Sequence, residues 1–161
     1  MRMLIFLFAS SFLVSLVLNC LVTSDCPCGN IIDYASNPED SSYINTMLYT
    51  KQSGCVQNIT CPIDWLTNVY SRMNDSEIPK PADSLQGAEL FIFQTNSNWA
   101  DPPGPAIDIF SHFGMVCENN AWFATKYPSG ISYFDSNEEI ATIESSNEYN
   151  GRQSKISHFV W

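Results

Sequence analysis

Basic side chains are scarce in this chain. Seven Lys and Arg stand against 17 Asp and Glu, for a net charge of −10. A protein so poor in cations lacks the electrostatic footprint for nucleic acid or an anionic lipid surface. Histidine is scarcer still, with only His112 and His158. Neither stands beside cysteines in the paired short spacings of a zinc site. The chain has no Gly-x-Ser-x-Gly nucleophile elbow. It has no internal repeat of about 20 to 50 residues that would signal a solenoid. No apolar run beyond the N-terminus reaches the roughly 20 residues a membrane span needs. No cofactor or metal is expected, and no enzyme site stands out.

The N-terminus holds the clearest signal that is present. Arg2 is the only charge before Asp25, and residues 3–18 read MLIFLFASSFLVSLVL. Val22-Thr23-Ser24 then supplies small residues at the place a signal peptidase reads. Residues 1–24 are therefore expected to be a secretory signal peptide, and 25–161 a single extracellular β-rich domain. An uncleaved anchor is the alternative, but Asn19 breaks the apolar run and Ser10, Ser11 and Ser15 dilute it. A lipoprotein reading of Cys20 is opposed by the size of Asn19 before it. Cleavage removes Arg2 alone among the charges, so the mature net charge becomes −11. Such acidity suits solubility in an extracellular fluid or a cationic partner. Localisation is expected to be extracellular, with no membrane attachment after cleavage.

Export places the cysteines in an oxidising space. Five of the six follow the leader: Cys26, Cys28, Cys55, Cys61 and Cys117. Cys26 and Cys28 are too close in sequence to bridge each other without severe strain. Cys55 and Cys61, on one strand, would lie roughly 20 Å apart. In every remaining pairing at least one bridge ties the Cys26/Cys28 arm to the body; two such bridges are expected, and the connectivity stays open. A bridge closing some tens of residues contributes about 3–4 kcal/mol in the chain-entropy model.

Short strands with frequent turns fill the rest. Cys55–Cys61, Ala88–Thr95, Phe113–Glu118, Ala121–Lys126, Ile131–Phe134 and Lys155–Trp161 alternate or are rich in aromatic and β-branched residues. Asn119-Asn120 reads as a two-residue hairpin turn, and Asn150-Gly151 as a second hairpin signal. Residues 37–50 support two readings. Asn37 could cap a helix with Pro38 at its first position, whereas the Ser, Thr and Tyr content suits extended chain. The expected fold is all-β: a disulfide-braced, antiparallel β-sandwich-like domain with at most one short helix.

Cys26-x-Cys28, Gly54-Cys55-x5-Cys61, then Cys117-x4-Trp122 and Ser129-Gly130-Ile131 together resemble a family of six-cysteine secreted domains of unknown function that is expanded in nematodes. The likeness covers about residues 26–136. Such domains close with a strand ending in a sixth cysteine, and here Ser136 stands at that place. The resemblance therefore implies that Cys117 lacks its usual partner and is the odd thiol. Phe113, Met115 and Cys117 alternate on one face, so this thiol is expected to be buried and the protein a non-covalent monomer. The family brings no established activity.

Remaining candidates are few. Asn58-Ile59-Thr60 and Asn74-Asp75-Ser76 are N-glycosylation sequons. Asp135, Glu138, Glu139, Glu144 and Glu148 lack the glycine and the Asp/Asn ladder of a calcium loop, and read as a solvated face. Asp108, Ser111 and His112 invite a triad, yet real triads are assembled from distant parts of a chain. Trp65, Trp122 and Trp161 suit packing. Trp99, in a polar loop before a Pro-rich stretch, is the possible partner contact. The leading expectation is a secreted, disulfide-stabilised binding or interaction module for an extracellular protein or glycan. A secreted hydrolase with dispersed carboxylates, or a structural matrix component, are the readings from other classes.

Overall fold

The computed structural model describes residues 26–36, 48–61, 67–96, 105–144 and 147–160. Ten strands are placed there: β1 (Leu48–Lys51), β2 (Gln57–Cys61), β3 (Asn68–Ser76), β4 (Leu90–Gln94), β5 (Ile107–Asp108), β6 (Val116–Glu118), β7 (Ala121–Ala124), β8 (Ile131–Phe134), β9 (Ile140–Ile143) and β10 (Ser154–Val160). A 3-10 turn covers Ile31–Tyr34, and one short helix, α1, covers Ile109–His112. A three-stranded sheet runs β1-β2-β5 and a seven-stranded sheet runs β6-β7-β10-β3-β4-β8-β9. Every strand pair in both is antiparallel. The expected all-β, sandwich-like class is the fold observed.

Alternation decides the inner face of the large sheet. Val69 and Met73 on β3, Phe91 and Phe93 on β4, Ile131 and Tyr133 on β8, and Ile156 and Phe159 on β10 are all buried. Ile59 from β2, Ile109 from α1 and Ile31 from the N-terminal arm join the same core. The small sheet, the helix and the arm thus close over the large sheet. Each large side chain removed from water here stabilises the fold by about 1.5–3 kcal/mol.

The Asn119-Asn120 turn forms as expected. Both residues take left-handed φ, +48° and +62°, the backbone that a two-residue hairpin needs and that Asn tolerates. It joins β6 to β7 with Cys117 opposite Trp122. Asn150-Gly151 also turns the chain, Gly151 at φ +91°. It is no hairpin, however, because β9 and β10 sit apart in the sheet. Strand β6 is shorter than expected. Phe113 and Met115 are buried, but Phe113 is the C-cap of the helix and the turn that closes it runs on to Met115, so the strand starts only at Val116. Within 37–50, Leu48–Lys51 is a strand; the proposed Asn37 cap lies outside the described residues.

Strand β3, nine residues long, and β9 are elements that patterning missed, as are the two-residue β5 and the helix that follows it. β3 reads NVYSRMNDS, a polar sequence for the strand between β10 and β4. Its Ser71 occupies the inner face fully buried, where alternation rules lead one to look for an apolar residue. β9 was hidden inside the acidic stretch. Asp135 accepts the backbone N–H of Asn137 (2.8 Å) and Glu139 (3.0 Å), forming the turn that leads into it.

Two buried polar groups hold distant segments. Gln57, 2% exposed, accepts the Ile31 N–H at 2.9 Å and the Tyr49 hydroxyl at 2.8 Å, and donates to the Gly29 carbonyl at 2.9 Å. Its amide gives the arm the hydrogen bonds that a neighbouring strand would otherwise supply. The Tyr127 hydroxyl lies 3.0 Å from the Ala124 carbonyl and 2.9 Å from both the Arg152 carbonyl and Ser154 Oγ. Burial, aided by Glu77 and opposed by the Ser154 hydrogen bond, leaves its pKa pushed up to about 12.

Gln57→Leu should cost about 2–3 kcal/mol, because three partners lose a buried hydrogen bond together. Urea unfolding of wild type and variant measures it; a loss below 0.5 kcal/mol would show the arm to be held otherwise. Tyr127 makes a pH prediction. Its folded pKa lies above the unfolded value of about 10, so its stabilisation is complete below pH 10 and is lost as pH rises toward 12. The loss should be about 2–3 kcal/mol, and should vanish in Tyr127→Phe when unfolding midpoints are compared at pH 9 and pH 12.

Candidate interaction face

The large sheet has a second face, and it is not uniformly polar. The register sets His158 opposite Tyr70 and Tyr70 opposite Ile92. The Tyr70 and His158 rings stack with centroids 4.4 Å apart and planes 2° from parallel. Leu90, Phe134 and Val160 on this face are half-buried, Ile92 is buried, and Ile140 is 51% exposed. Beside them runs a polar row across four strands. Gln94 donates to Asn68 Oδ1 at 3.1 Å, Ser132 Oγ donates to Gln94 Oε1 at 3.3 Å, and Ser132 and Thr142 hydroxyls meet at 3.2 Å. Cross-strand pairing explains why one amide row survives burial: each member satisfies the next.

His158 Nδ1 lies 3.0 Å from Ser157 Oγ. Desolvation holds the imidazole pKa below its usual 6.5, so the ring favours its neutral form. A neutral ring stacked on a phenol makes a flat, weakly hydrated surface, of the kind that packs against apolar or planar groups.

The cysteines form two bridges. Cys26 bonds Cys55, with Cα atoms 4.7 Å apart, and Cys28 bonds Cys117, with Cα atoms 5.9 Å apart. Two intramolecular bridges tie the arm to the body, as expected. The expectation for Cys117 fails, since it is paired and not the odd thiol. Its partner comes from the arm, 89 residues upstream, and not from a position near Ser136. The fold lays the arm beside the β6–β7 hairpin, with the Cys28 sulfur 3.2 Å from the Ala121 carbonyl. Cys61 ends β2, with its backbone opposite Ile107; its side chain lies outside the described residues, as does Cys20.

The other candidates separate. Asp108 caps α1: it accepts the N–H groups of Phe110 (3.2 Å) and Ser111 (3.3 Å), the Ser111 hydroxyl, and the Ile59 N–H (3.2 Å). The Asp108/Ser111 pair is thereby explained as helix capping. Asn58 is half-buried, and its Oδ1 accepts the Thr60 hydroxyl at 2.7 Å. Asn74 is exposed near the end of β3. Trp99, Trp65, Trp161 and the leader lie outside the described residues. Trp122 is fully buried, edge-on to Phe110. Among the described residues, the three metal-type ligand atoms gathered within 4.8 Å are the sulfurs of Cys26, Cys55 and Cys117. All three are spent in disulfides. Patterning missed the Tyr70/His158 face because Tyr70 lies on the polar strand β3.

Comparison with known proteins gives a family match. The family described as TRA-1 regulated protein R03H10.4 matches residues 24–161. The chain belongs to that family. Its domain is nematode-specific, which agrees with the nematode resemblance at this coarser level. No curated protein and no solved structure matches the chain.

The pKa of His158 gives a test of the stack. It should titrate below 6.5 in the folded protein, and Tyr70→Ala should move it back toward 6.5 by exposing the ring. The stabilisation from the neutral ring is present above pH 6.5 and lost as pH falls through the folded value. Imidazole proton shifts followed by NMR measure both; an unchanged pKa in Tyr70→Ala would show that Tyr70 does not shield the ring.

Proposed function

We propose that this family member is exported and acts outside the cell as a disulfide-stabilised interaction module. Its contact surface is the outer face of the large sheet around Tyr70 and His158. The observation that carries this reading is the stacked Tyr70–His158 pair on a face shared with Ile92, Phe134 and Ile140. Solvent-facing sheet surfaces are commonly polar, and a cluster of aromatic and aliphatic groups there suits a partner. The two disulfides fit an oxidising compartment, as does the apolar leader. A scaffold braced in this way presents its face with little ordering cost on binding. The occupant is an extracellular protein with a basic rim, because the chain carries a net charge of −10. Asn58 and Asn74 are glycosylated in the exported form, with Asn74 the more open of the two.

Expression of the full chain in a secreting eukaryotic host tests the location. The medium should contain a chain beginning at Asp25, with a glycosidase-sensitive mass; retention of Met1 on the exported chain overturns this part. Binding is then screened on arrayed nematode extracellular domains and on a glycan array. At least one protein should bind, at least tenfold more weakly to Tyr70→Ser and more weakly in high salt. Binding insensitive to Tyr70→Ser, or confined to glycans, overturns the assigned face and partner.

A further inference from the structure

The two disulfides lie against each other. The sulfurs of Cys26, Cys55 and Cys117 are all within 4.8 Å of one another, although Cys117 belongs to the other bridge. We propose that Cys55 is a thiol-modification site through which a small monothiol re-pairs the two bridges. This goes beyond the interaction reading and does not rest on it.

The four cysteines differ in access. Cys26 is 6% and Cys28 8% exposed. Cys55 is half-buried and sits in a turn between Gly54, at φ +72°, and Val56, which is 53% exposed. An incoming thiolate therefore meets Cys55 Sγ before Cys26 Sγ. Cys117 is half-buried too, but attack there expels Cys28. Attack at Cys55 expels Cys26, whose sulfur stands within 4.8 Å of the sulfur of Cys117. The observed cluster thus favours entry at Cys55 with Cys26 as the relay.

The steps balance. The thiolate RS⁻ attacks Cys55 Sγ; the RS–Cys55 bond forms, the Cys26–Cys55 bond breaks, and the electron pair leaves on Cys26. Cys26 thiolate attacks Cys117 Sγ; the Cys26–Cys117 bond forms, the Cys28–Cys117 bond breaks, and Cys28 carries the charge. Cys28 thiolate attacks Cys55 Sγ in the mixed disulfide, forming Cys28–Cys55 and returning RS⁻. Nothing is oxidised or reduced overall, and the thiol acts as a catalyst. Held within one cluster, the internal attacks outcompete a second external thiol, since proximity raises the effective concentration. The product bonds Cys26 to the β6–β7 hairpin where Cys28 was bonded before. That shifts the arm against Gln57, which grips Gly29 and Ile31.

The test uses the exported chain carrying Cys61→Ser, so that Cys61 plays no part. The oxidised protein is incubated with substoichiometric 2-mercaptoethanol at pH 8 under native conditions. It is then quenched with acid, alkylated and mapped by acidic proteolysis and mass spectrometry. Peptides linking Cys26 to Cys117 and Cys28 to Cys55 should rise at least tenfold over a control without thiol. Native pairs accompanied only by a Cys55 adduct with alkylated Cys26 would overturn the relay. Native pairs with no adduct at all would overturn the site.

Discussion

The rest of the structure depends on the closure of the N-terminal arm. Residues 26–36 contain no strand of their own, yet Ile31 is wholly buried among side chains from both sheets. Cys26 and Cys28 hold that arm down at two points, on Cys55 and on Cys117. The closed loops span 29 and 89 residues. In the chain-entropy model such loops contribute about 3.5 and 4.5 kcal/mol when formed separately. The second bridge links the arm to the β6–β7 hairpin, next to buried Trp122. The first links it to the turn before β2, so the small sheet and one end of the large sheet share an anchor.

Polar groups then give the closure its register. A covalent bridge fixes distance but leaves the backbone groups of the arm in need of partners. Gln57 supplies two of them, accepting from Ile31 N–H and donating to the Gly29 carbonyl, and the Ser36 N–H donates to the Phe159 carbonyl at 2.8 Å. At the far end of β10 the Tyr127 hydroxyl serves the same purpose for the chain around Arg152 and Ser154. A buried amide or hydroxyl that loses a partner is costly, so these contacts select one docking geometry.

The outer face follows from the pairing order of the large sheet. β3 lies between β10 and β4, and that order alone brings Tyr70 against His158 and next to Ile92. Asp135 sits in the turn between β8 and β9, its carboxyl held below its usual range by the backbone N–H groups of Glu139 and Asn137.

Some of this was legible from local chemistry. The hairpin at Asn119-Asn120, the hydrophobic strands β4, β8 and β10, and the tying of the arm to the body by disulfides were readable, because each rests on residues close together in the chain or on simple distance limits. The all-β class followed from those strands. Strand β3 was not readable, because a central strand can bury Ser71 and expose polar neighbours when flanking strands satisfy it. Cys117 was misread for a related reason. Its partner is chosen by where the arm lies on the β6–β7 hairpin, and no local pattern encodes a contact across 89 residues. The sequence by itself determined the strand-forming segments, the turns and the need for cross-links, since these depend on neighbouring side chains and backbone preference. Only the tertiary structure decided which cysteines meet, which polar residues turn inward, and which aromatic rings share a face, because those outcomes depend on strand order and on packing between residues far apart in the chain.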